Sequence, residues 1–223
     1  MQELKGSFVA LVTPMKSNGE IDFPALKELV EWHIESGTHG LVSVGTTGES
    51  ATLNFNDHVK VLEKTISYID NKIVAIAGTG ANSTDEAIEL NKAASSIGYK
   101  FALSVTPYYN KPNQLGLEAH YKKIADSSVI KNILYNVPSR TACDLEPETV
   151  NKLIHHENIV GIKEAVDDPK RYKTLIKMAK NSSEPFYVLS GDDPTYFEFM
   201  KSGGDGVISV AAHVIPAQVA KIA

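Results

Sequence analysis

The stretch Ile159–Ala165 reads IVGIKEA, an apolar run that ends in a lysine. A continuous apolar run, unlike one that alternates with polar residues, is typical of a parallel β-strand covered on both faces. Runs of this kind recur along the whole chain. They are Phe8–Val12, Leu41–Val44, Ile73–Ala77, Phe101–Val105, Ile133–Tyr135, Ile159–Ile162, Phe186–Leu189 and Gly206–Val210. We therefore predict eight strands.

Longer segments with apolar residues at helical spacing separate these runs, as Leu26, Leu29 and Val30 do within Phe23–Glu35. The other predicted helices are Phe55–Ile69, Ser83–Ile97, Leu115–Ser127, Pro147–His155, Pro169–Ala179 and Thr195–Lys201. Strands that alternate with helices in this way predict a single α/β domain over residues 1–223, a (β/α)8 TIM barrel. A doubly wound open sheet is the alternative, but no G-x-G-x-x-G follows the first strand.

The C-terminus is short for this fold. Pro216 is typical of the first turn of an eighth helix, and the chain ends 13 residues after Val210. Because such barrels commonly have ~250 residues, we expect a barrel truncated in or after its eighth helix and lacking a C-terminal helical segment. We expect such a chain to keep its site residues but to be less stable and impaired in catalysis.

Composition excludes several classes of protein. The 223 residues carry 22 basic and 27 acidic side chains, for a formal net charge of −5, and no basic cluster that would suit nucleic acid. The first six residues, MQELKG, do not form the apolar core of a signal sequence, no apolar run is long enough to span a membrane, and Cys143 is the only cysteine. We expect a cytoplasmic protein without membrane contact. The sequence contains no H-E-x-x-H motif and no carboxylate cluster, so we expect the protein to bind no metal and no cofactor.

Polar residues at the predicted strand ends are the candidates for chemistry, because a parallel barrel builds its active site there. The loop Gly45–Ser50 can hold an anion on its backbone N–H groups, or can be an ordinary turn. Tyr108 and Tyr109 form an aromatic loop that suits either a site or packing. Arg140 can bind a carboxylate through two hydrogen bonds in bidentate geometry, or can be a surface residue paired with an acidic side chain.

Lys163 ends the sixth strand, two residues after Gly161. If both point inward, the missing side chain at Gly161 leaves room for a lysine held away from water. Burial lowers the pKa of such an amine and makes it a nucleophile. The alternative is a surface lysine paired with Glu164. Together, an inward lysine, the Tyr135 phenol, a hydroxyl-rich loop and Arg140 suit Schiff-base chemistry on a keto acid.

These motifs resemble the dihydrodipicolinate synthase family over essentially the whole chain. The resemblance rests on Gly45–Ser50 (GTTGES), Thr106–Asn110 (TPYYN), Tyr135–Thr141 (YNVPSRT), Gly161–Ala165 (GIKEA), Ser190–Asp193 (SGDD) and Gly206–Val210 (GVISV). It implies a lyase in the synthesis of diaminopimelate and lysine that condenses pyruvate with aspartate semialdehyde. It also implies a homodimer or a homotetramer built as a dimer of dimers.

The resemblance further implies a role for each site residue. Lys163 forms the Schiff base with pyruvate, and Tyr135, Thr46 and Tyr109 relay protons, Tyr109 in the neighbouring subunit's site. Thr47 holds the pyruvate carboxylate and Arg140 that of the aldehyde. Gly191 and Ile208 line the pyruvate end. Some family members bind lysine as an effector, and the matching positions are Ser50, Ala51, His58, Asn82, Glu86 and Tyr108, although Phe55 replaces the histidine of some inhibited members.

Two other functions stay open at this point. N-acetylneuraminate lyase and the keto-deoxy sugar acid aldolases resemble this chain in their lysine and strand-five tyrosine, whereas Thr47 and Arg140 favour the synthase. A non-enzymatic binding module would use Gly45–Ser50 only as an anion loop, and a truncated chain could lack catalysis altogether.

Overall fold

The computed structural model describes residues 4–223. Eight parallel strands form a closed barrel in chain order. They are β1 (Gly6–Ala10), β2 (Gly40–Ser43), β3 (Val74–Gly78), β4 (Phe101–Val105), β5 (Lys131–Asn136), β6 (Ile159–Glu164), β7 (Tyr187–Ser190) and β8 (Gly206–Ser209). Because β1 pairs with β8, with Phe8 opposite Ile208, neither strand is a free edge. The predicted barrel is confirmed, and the open sheet is wrong.

Helices surround the strands. They are α1 (Phe23–Glu35), α2 (Phe55–Ile69), α3 (Thr84–Ile97), α4 (Gln114–Asp126), α5 (Pro138–Thr141), α6 (Pro147–Leu153), α7 (Pro169–Asn181), α8 (Tyr196–Lys201) and α9 (Pro216–Ile222). The bounds of α1 and α2 are those predicted, and Ser83 caps α3, where its side chain accepts a hydrogen bond from the N–H of Glu86. Pro216 begins α9, as its sequence position predicts.

The sequence prediction missed two short elements and misplaced several helix ends by one or two residues. Neither the four-residue helix α5 nor the 3-10 turn Ala211–His213 is long enough to show an apolar period. Helix α6 ends at Leu153 and not at His155, because the chain tightens into a turn in which the N–H of His156 donates to the Leu153 carbonyl.

The core has two layers, because side chains of a strand alternate between the barrel interior and the surrounding helices. The interior contains Phe8, Ile76, Ile133 and Leu189, and two outer clusters lie between strands and helices. Gly40 is required for the interior packing, since a Cβ there would lie 2.6 Å from Cδ1 of Phe8. At the C-terminal ends of the strands, polar side chains replace the apolar filling.

None of the helices in residues 4–223 is both long and apolar enough to cross a membrane. The same residues contain no group of three or more His, Cys, Asp or Glu side chains arranged to hold a metal ion.

Candidate active site

Lys163 lies inside the mouth of the barrel and not on its outer wall. Its side chain is almost completely buried, and its Nζ lies 4.3 Å above the ring centroid of Tyr135. The two residues are Cα partners between β5 and β6. The strand register therefore sets an amine and a phenol side by side.

Burial lowers the pKa of Lys163 from 10.5 to about 7, the Asp193 carboxylate opposes this shift, and the positive charge of Arg140 adds to it. An ammonium group loses more hydration on burial than a neutral amine, which is why the neutral form is favoured. Near neutral pH a substantial fraction of this lysine is therefore an unprotonated nucleophile.

Gly191, which follows β7, makes room for the lysine. A Cβ at this position would lie 2.9 Å from Cε and 3.1 Å from Cγ of Lys163. Ile208 lies on the next strand, one residue beyond the pair Ser190 and Val207, and is buried. The two predicted pyruvate-end residues are therefore neighbours across β7 and β8, and Gly191 adjoins the lysine.

Tyr135 is also buried. Burial raises the pKa of its phenol, while the positive charge of Arg140 and the hydroxyl of Thr46 oppose that shift. The phenol thus keeps its proton at neutral pH. An acid of this kind beside an amine can give and recover a proton at a carbonyl oxygen.

The loop that carries Thr46 and half-buried Thr47 is held at Gly48. The Thr13 hydroxyl donates to the Gly48 carbonyl at 2.7 Å, and a Cβ at Gly48 would lie 2.9 Å from the carbonyl oxygen of Leu11. Before the loop, buried Val44 has a φ of 52°, an unusual conformation for a β-branched residue. Such outliers are characteristic of functional sites.

Arg140 is exposed and lies on α5, above the amine and the phenol whose pKa values it affects. The Thr106 hydroxyl after β4 donates to the Thr141 hydroxyl at 3.2 Å, and Thr141 donates to the Cys143 carbonyl at 2.9 Å. Pro138 occupies the first turn of α5. Buried hydroxyl contacts therefore fix the short helix that presents the guanidinium.

Tyr109 differs from Tyr135 and Lys163 because its side chain lies in solvent and not in the barrel. It is 89% exposed, and its φ of 73° places it in the left-handed region. Its neighbour Tyr108 is partly buried, and burial together with the nearby Glu86 carboxylate raises the pKa of the Tyr108 phenol.

A sequence profile of the dihydrodipicolinate synthetase family matches residues 3–223. The chain belongs to this family. A 4-hydroxy-tetrahydrodipicolinate synthase of Shewanella sp. (strain MR-4) is 53% identical over 213 residues, which are 96% of this chain and 71% of that relative. The corresponding protein of Teredinibacter turnerae is 52% identical over 218 residues, 98% of this chain and 74% of its own length.

Solved structures of the family agree with the fold. The chloride-inhibited dihydrodipicolinate synthase of Acinetobacter baumannii, complexed with pyruvate, superposes with a TM-score of 0.95 at 50% identity and covers 98% of this chain and 74% of its own. These named relatives favour the synthase over the sugar-acid alternatives and over a binding module. This member of the dihydrodipicolinate synthetase family is therefore an enzyme of the lyase class.

Three of the six predicted effector residues lie together in this dihydrodipicolinate synthetase family member. The Asn82 side-chain amide donates to the Tyr108 carbonyl at 3.3 Å, and Glu86 is near enough to affect the Tyr108 phenol. His58 is buried, and its Nε2 is 2.7 Å from the Gly78 carbonyl oxygen. Ser50 and Ala51 lie at the surface, after the Thr46–Thr47 loop.

The alternative pairing of Lys163 with Glu164 is wrong. Adjacent residues of a strand face opposite sides, so Glu164 points out of the barrel and binds Arg171 of α7 at 2.8 Å. Sequence reasoning gave no role to Glu164, to its neighbour Asn136 or to Asp193. The usable signal was position, since Asn136 and Glu164 directly follow the two candidate residues and Asp193 lies in the loop after β7.

Proposed function

We propose that this chain condenses pyruvate with aspartate semialdehyde to give 4-hydroxy-tetrahydrodipicolinate, with Lys163 as the Schiff-base residue. The observation that carries the proposal is the buried Lys163 amine, with a pKa of about 7, lying 4.3 Å above the ring of Tyr135. Membership of the dihydrodipicolinate synthetase family supports the choice of reaction.

The neutral Lys163 amine attacks the C2 carbonyl carbon of pyruvate. The Tyr135 phenol protonates the carbonyl oxygen as it develops charge, and loss of water then gives the imine. Loss of a proton from the methyl carbon yields an enamine, whose carbon attacks the aldehyde carbon of the second substrate. That substrate's amino group then attacks the imine carbon, so that the ring closes and the Lys163 amine leaves.

The remaining site residues position the two substrates in this scheme. Thr46 passes protons between the Tyr135 phenol and solvent, and the Thr47 loop holds the pyruvate carboxylate through its hydroxyl and backbone N–H groups. Gly191 and Ile208 line the pyruvate end. Arg140 binds the carboxylate of aspartate semialdehyde in the two-pronged geometry that a guanidinium favours.

Borohydride reduction in the presence of pyruvate tests the proposal. A permanent adduct on the peptide containing Lys163, absent in Lys163→Ala and unaffected in the exposed-residue control Lys173→Ala, is expected. Turnover with aspartate semialdehyde but not with N-acetylneuraminate then separates the synthase from a sugar-acid aldolase. A folded chain that forms no adduct would refute the assignment.

We propose a homodimer or a homotetramer in which Tyr109 completes the proton relay of the neighbouring subunit, because this side chain is free in solvent to reach another chain. Mixing Lys163→Ala chains with Tyr109→Phe chains tests the idea. Mixed dimers would contain one site with both residues, so activity should rise above that of either variant alone. A native mass equal to one chain would contradict it, and a dihydrodipicolinate synthase variant described as monomeric does exist.

We also propose that lysine binds at the cluster of Ser50, Ala51, His58, Asn82, Glu86 and Tyr108, where Glu86 supplies a carboxylate for an ammonium group. Calorimetric titration with lysine should show binding that Glu86→Gln weakens. The exposed carboxylate Glu89, three residues after Glu86 on the same helix, provides the control variant Glu89→Gln. Equal lysine affinity in both variants would refute this site.

A further inference from the structure

A fully hydrogen-bonded cluster lies behind the candidate active site, on the outer side of β5 and β6. It comprises Asn136, Asp144, Glu164 and Arg171, which we call the outer network. The Asn136 amide donates to Glu164 Oε1 at 3.0 Å and to Asp144 Oδ1 at 2.9 Å. Arg171 donates from Nε to Glu164 at 2.8 Å and, through two nitrogens, to both oxygens of Asp144 at 3.0 and 2.9 Å.

The outer network also holds backbone from several elements. The Val166 N–H donates to Glu164 Oε1 at 3.0 Å, and the Leu145 N–H donates to Asn136 Oδ1 at 2.9 Å. Arg171 reaches the Leu145 carbonyl as well. The ends of β5 and β6, the segment before α6 and the start of α7 are thereby fastened to one another.

Strand register connects this cluster to the reacting groups. Tyr135 pairs with Lys163, and the next pair along the same two strands is Asn136 with Glu164. Because side chains alternate, one pair faces the barrel interior while the other lies on the opposite side of the same backbone. A shift of the outer pair therefore moves the amine and the phenol directly.

Stability alone does not account for such a cluster. The Glu164 and Arg171 side chains are only 1% and 11% exposed, and burying a charged pair costs desolvation that an apolar pair of similar volume avoids. What the ion pair and its neutral amide add is geometric definition, because a guanidinium fork and a carboxylate accept few alternative arrangements.

We propose that Glu164, Asn136 and Arg171 are positioning residues that set the Lys163 amine over the Tyr135 ring and keep it in its water-poor pocket. This inference rests on the proposed function. Asp144 fixes the guanidinium from the other side. The outer network touches no substrate, and its effect on the reaction passes through the backbone of β5 and β6.

Glu164→Gln tests the positioning role, because it keeps the side-chain shape while it places an N–H₂ group among donors. We expect kcat to fall by about 10- to 100-fold, as for a reacting group displaced by ~1 Å, with KM for pyruvate changing by less than about threefold. Glu118→Gln is the matched control, since Glu118 of α4 binds Lys122 at 2.6 Å and Lys152 of α6 at 3.1 Å, away from the outer network. It should leave kcat unchanged.

A second readout needs no pyruvate. Acylation of Lys163 by acetic anhydride, followed by peptide mass analysis across pH, reports the pH at which the amine becomes nucleophilic. In the unaltered chain the midpoint should lie near 7. In Glu164→Gln it should move upward, because a displaced amine regains hydration. Should Glu164→Gln fail to fold, Arg171→Lys, which keeps the charge but loses the fork, should give the same changes in smaller measure.

A lowered melting temperature with unchanged kcat and acylation midpoint would overturn the inference and leave a merely structural role. If the unaltered chain forms no pyruvate adduct, the proposed function fails, but the acylation midpoints still decide whether the outer network positions the amine. An upward shift in both Glu164→Gln and Arg171→Lys, and not in Glu118→Gln, supports it.

Discussion

Replacing Gly191 by alanine adds one methyl group beside the reacting amine. Its carbon would lie 2.9 Å from Cε of Lys163 and 2.9 Å from Cβ of Ala165. Nonbonded carbons pack at about 3.5–4.0 Å, so the lysine must retreat by about 0.6–1.1 Å, and Ala165 blocks the opposite adjustment. A displacement of ~1 Å costs about 100-fold in rate, while overpacking of this kind costs about 1–3 kcal/mol of stability.

The measurements are kcat, the rate of borohydride trapping with pyruvate, and the melting temperature. Gly116→Ala on α4 is the control, because its Cβ would be crowded by Pro112 at 3.1 Å, away from the lysine. We expect slow trapping only in Gly191→Ala. If that variant traps pyruvate at the unaltered rate, the glycine does not define the space that the lysine occupies, and the proposed geometry is wrong.

Three further predictions follow from the same site. The unfolded chain keeps the Lys163 proton up to about pH 10.5, whereas the folded chain keeps it only up to about pH 7. Between pH 7 and 10.5 the unfolded state therefore binds more protons than the folded state. For this reason the free energy of unfolding rises as the pH rises from 7 to 10.5. Lys163→Met should therefore be inactive yet more stable at pH 7, by about 5 kcal/mol at most, with urea unfolding showing the difference vanish near pH 10.5. Arg140→Ala should raise the pH midpoint of pyruvate trapping and Asp193→Asn should lower it, since the two charges act on the Lys163 pKa with opposite sign. Shifts of the midpoint in the same direction in both variants would contradict this. Thr141→Val removes buried hydrogen bonds that anchor α5 and should cost about 1–3 kcal/mol while weakening aldehyde binding more than pyruvate trapping, which separate KM values would show.

Much of the barrel and the centre of the site follow from local sequence features. Continuous apolar runs identify parallel strands, and a rule of barrel architecture then places every strand end at one mouth. The positions of Lys163 and Tyr135 at that mouth follow from this rule, because Tyr135 ends one run and Lys163 directly follows another, whereas their roles rest on the resemblance to the family. The bounds of α1 and α2 likewise follow from a clear helical period, and the structure adds the caps Asp22 and Asn54.

The features that escaped prediction depend on contacts distant in sequence or on very short elements. Arg171 binds Asp144, 27 positions away, and nothing local to either residue marks it. The four residues of α5 cannot display a period of 3.6, yet they carry Arg140. The left-handed conformation of Tyr109 is equally hidden, because φ above zero is unusual for a residue with a bulky side chain.

The neighbours Lys163 and Glu164 show why position within a strand decides the chemistry. On a flexible surface these opposite charges could pair, and a paired ammonium group would keep its proton to high pH. The pleat of β6 instead turns them to opposite faces, where Arg171 takes the carboxylate and the lysine is left in the interior with Tyr135 at 4.3 Å. Because the two charges are separated, the Lys163 amine is reactive. Glu164 is free to bind Arg171, which holds β6 from the outer face of the barrel.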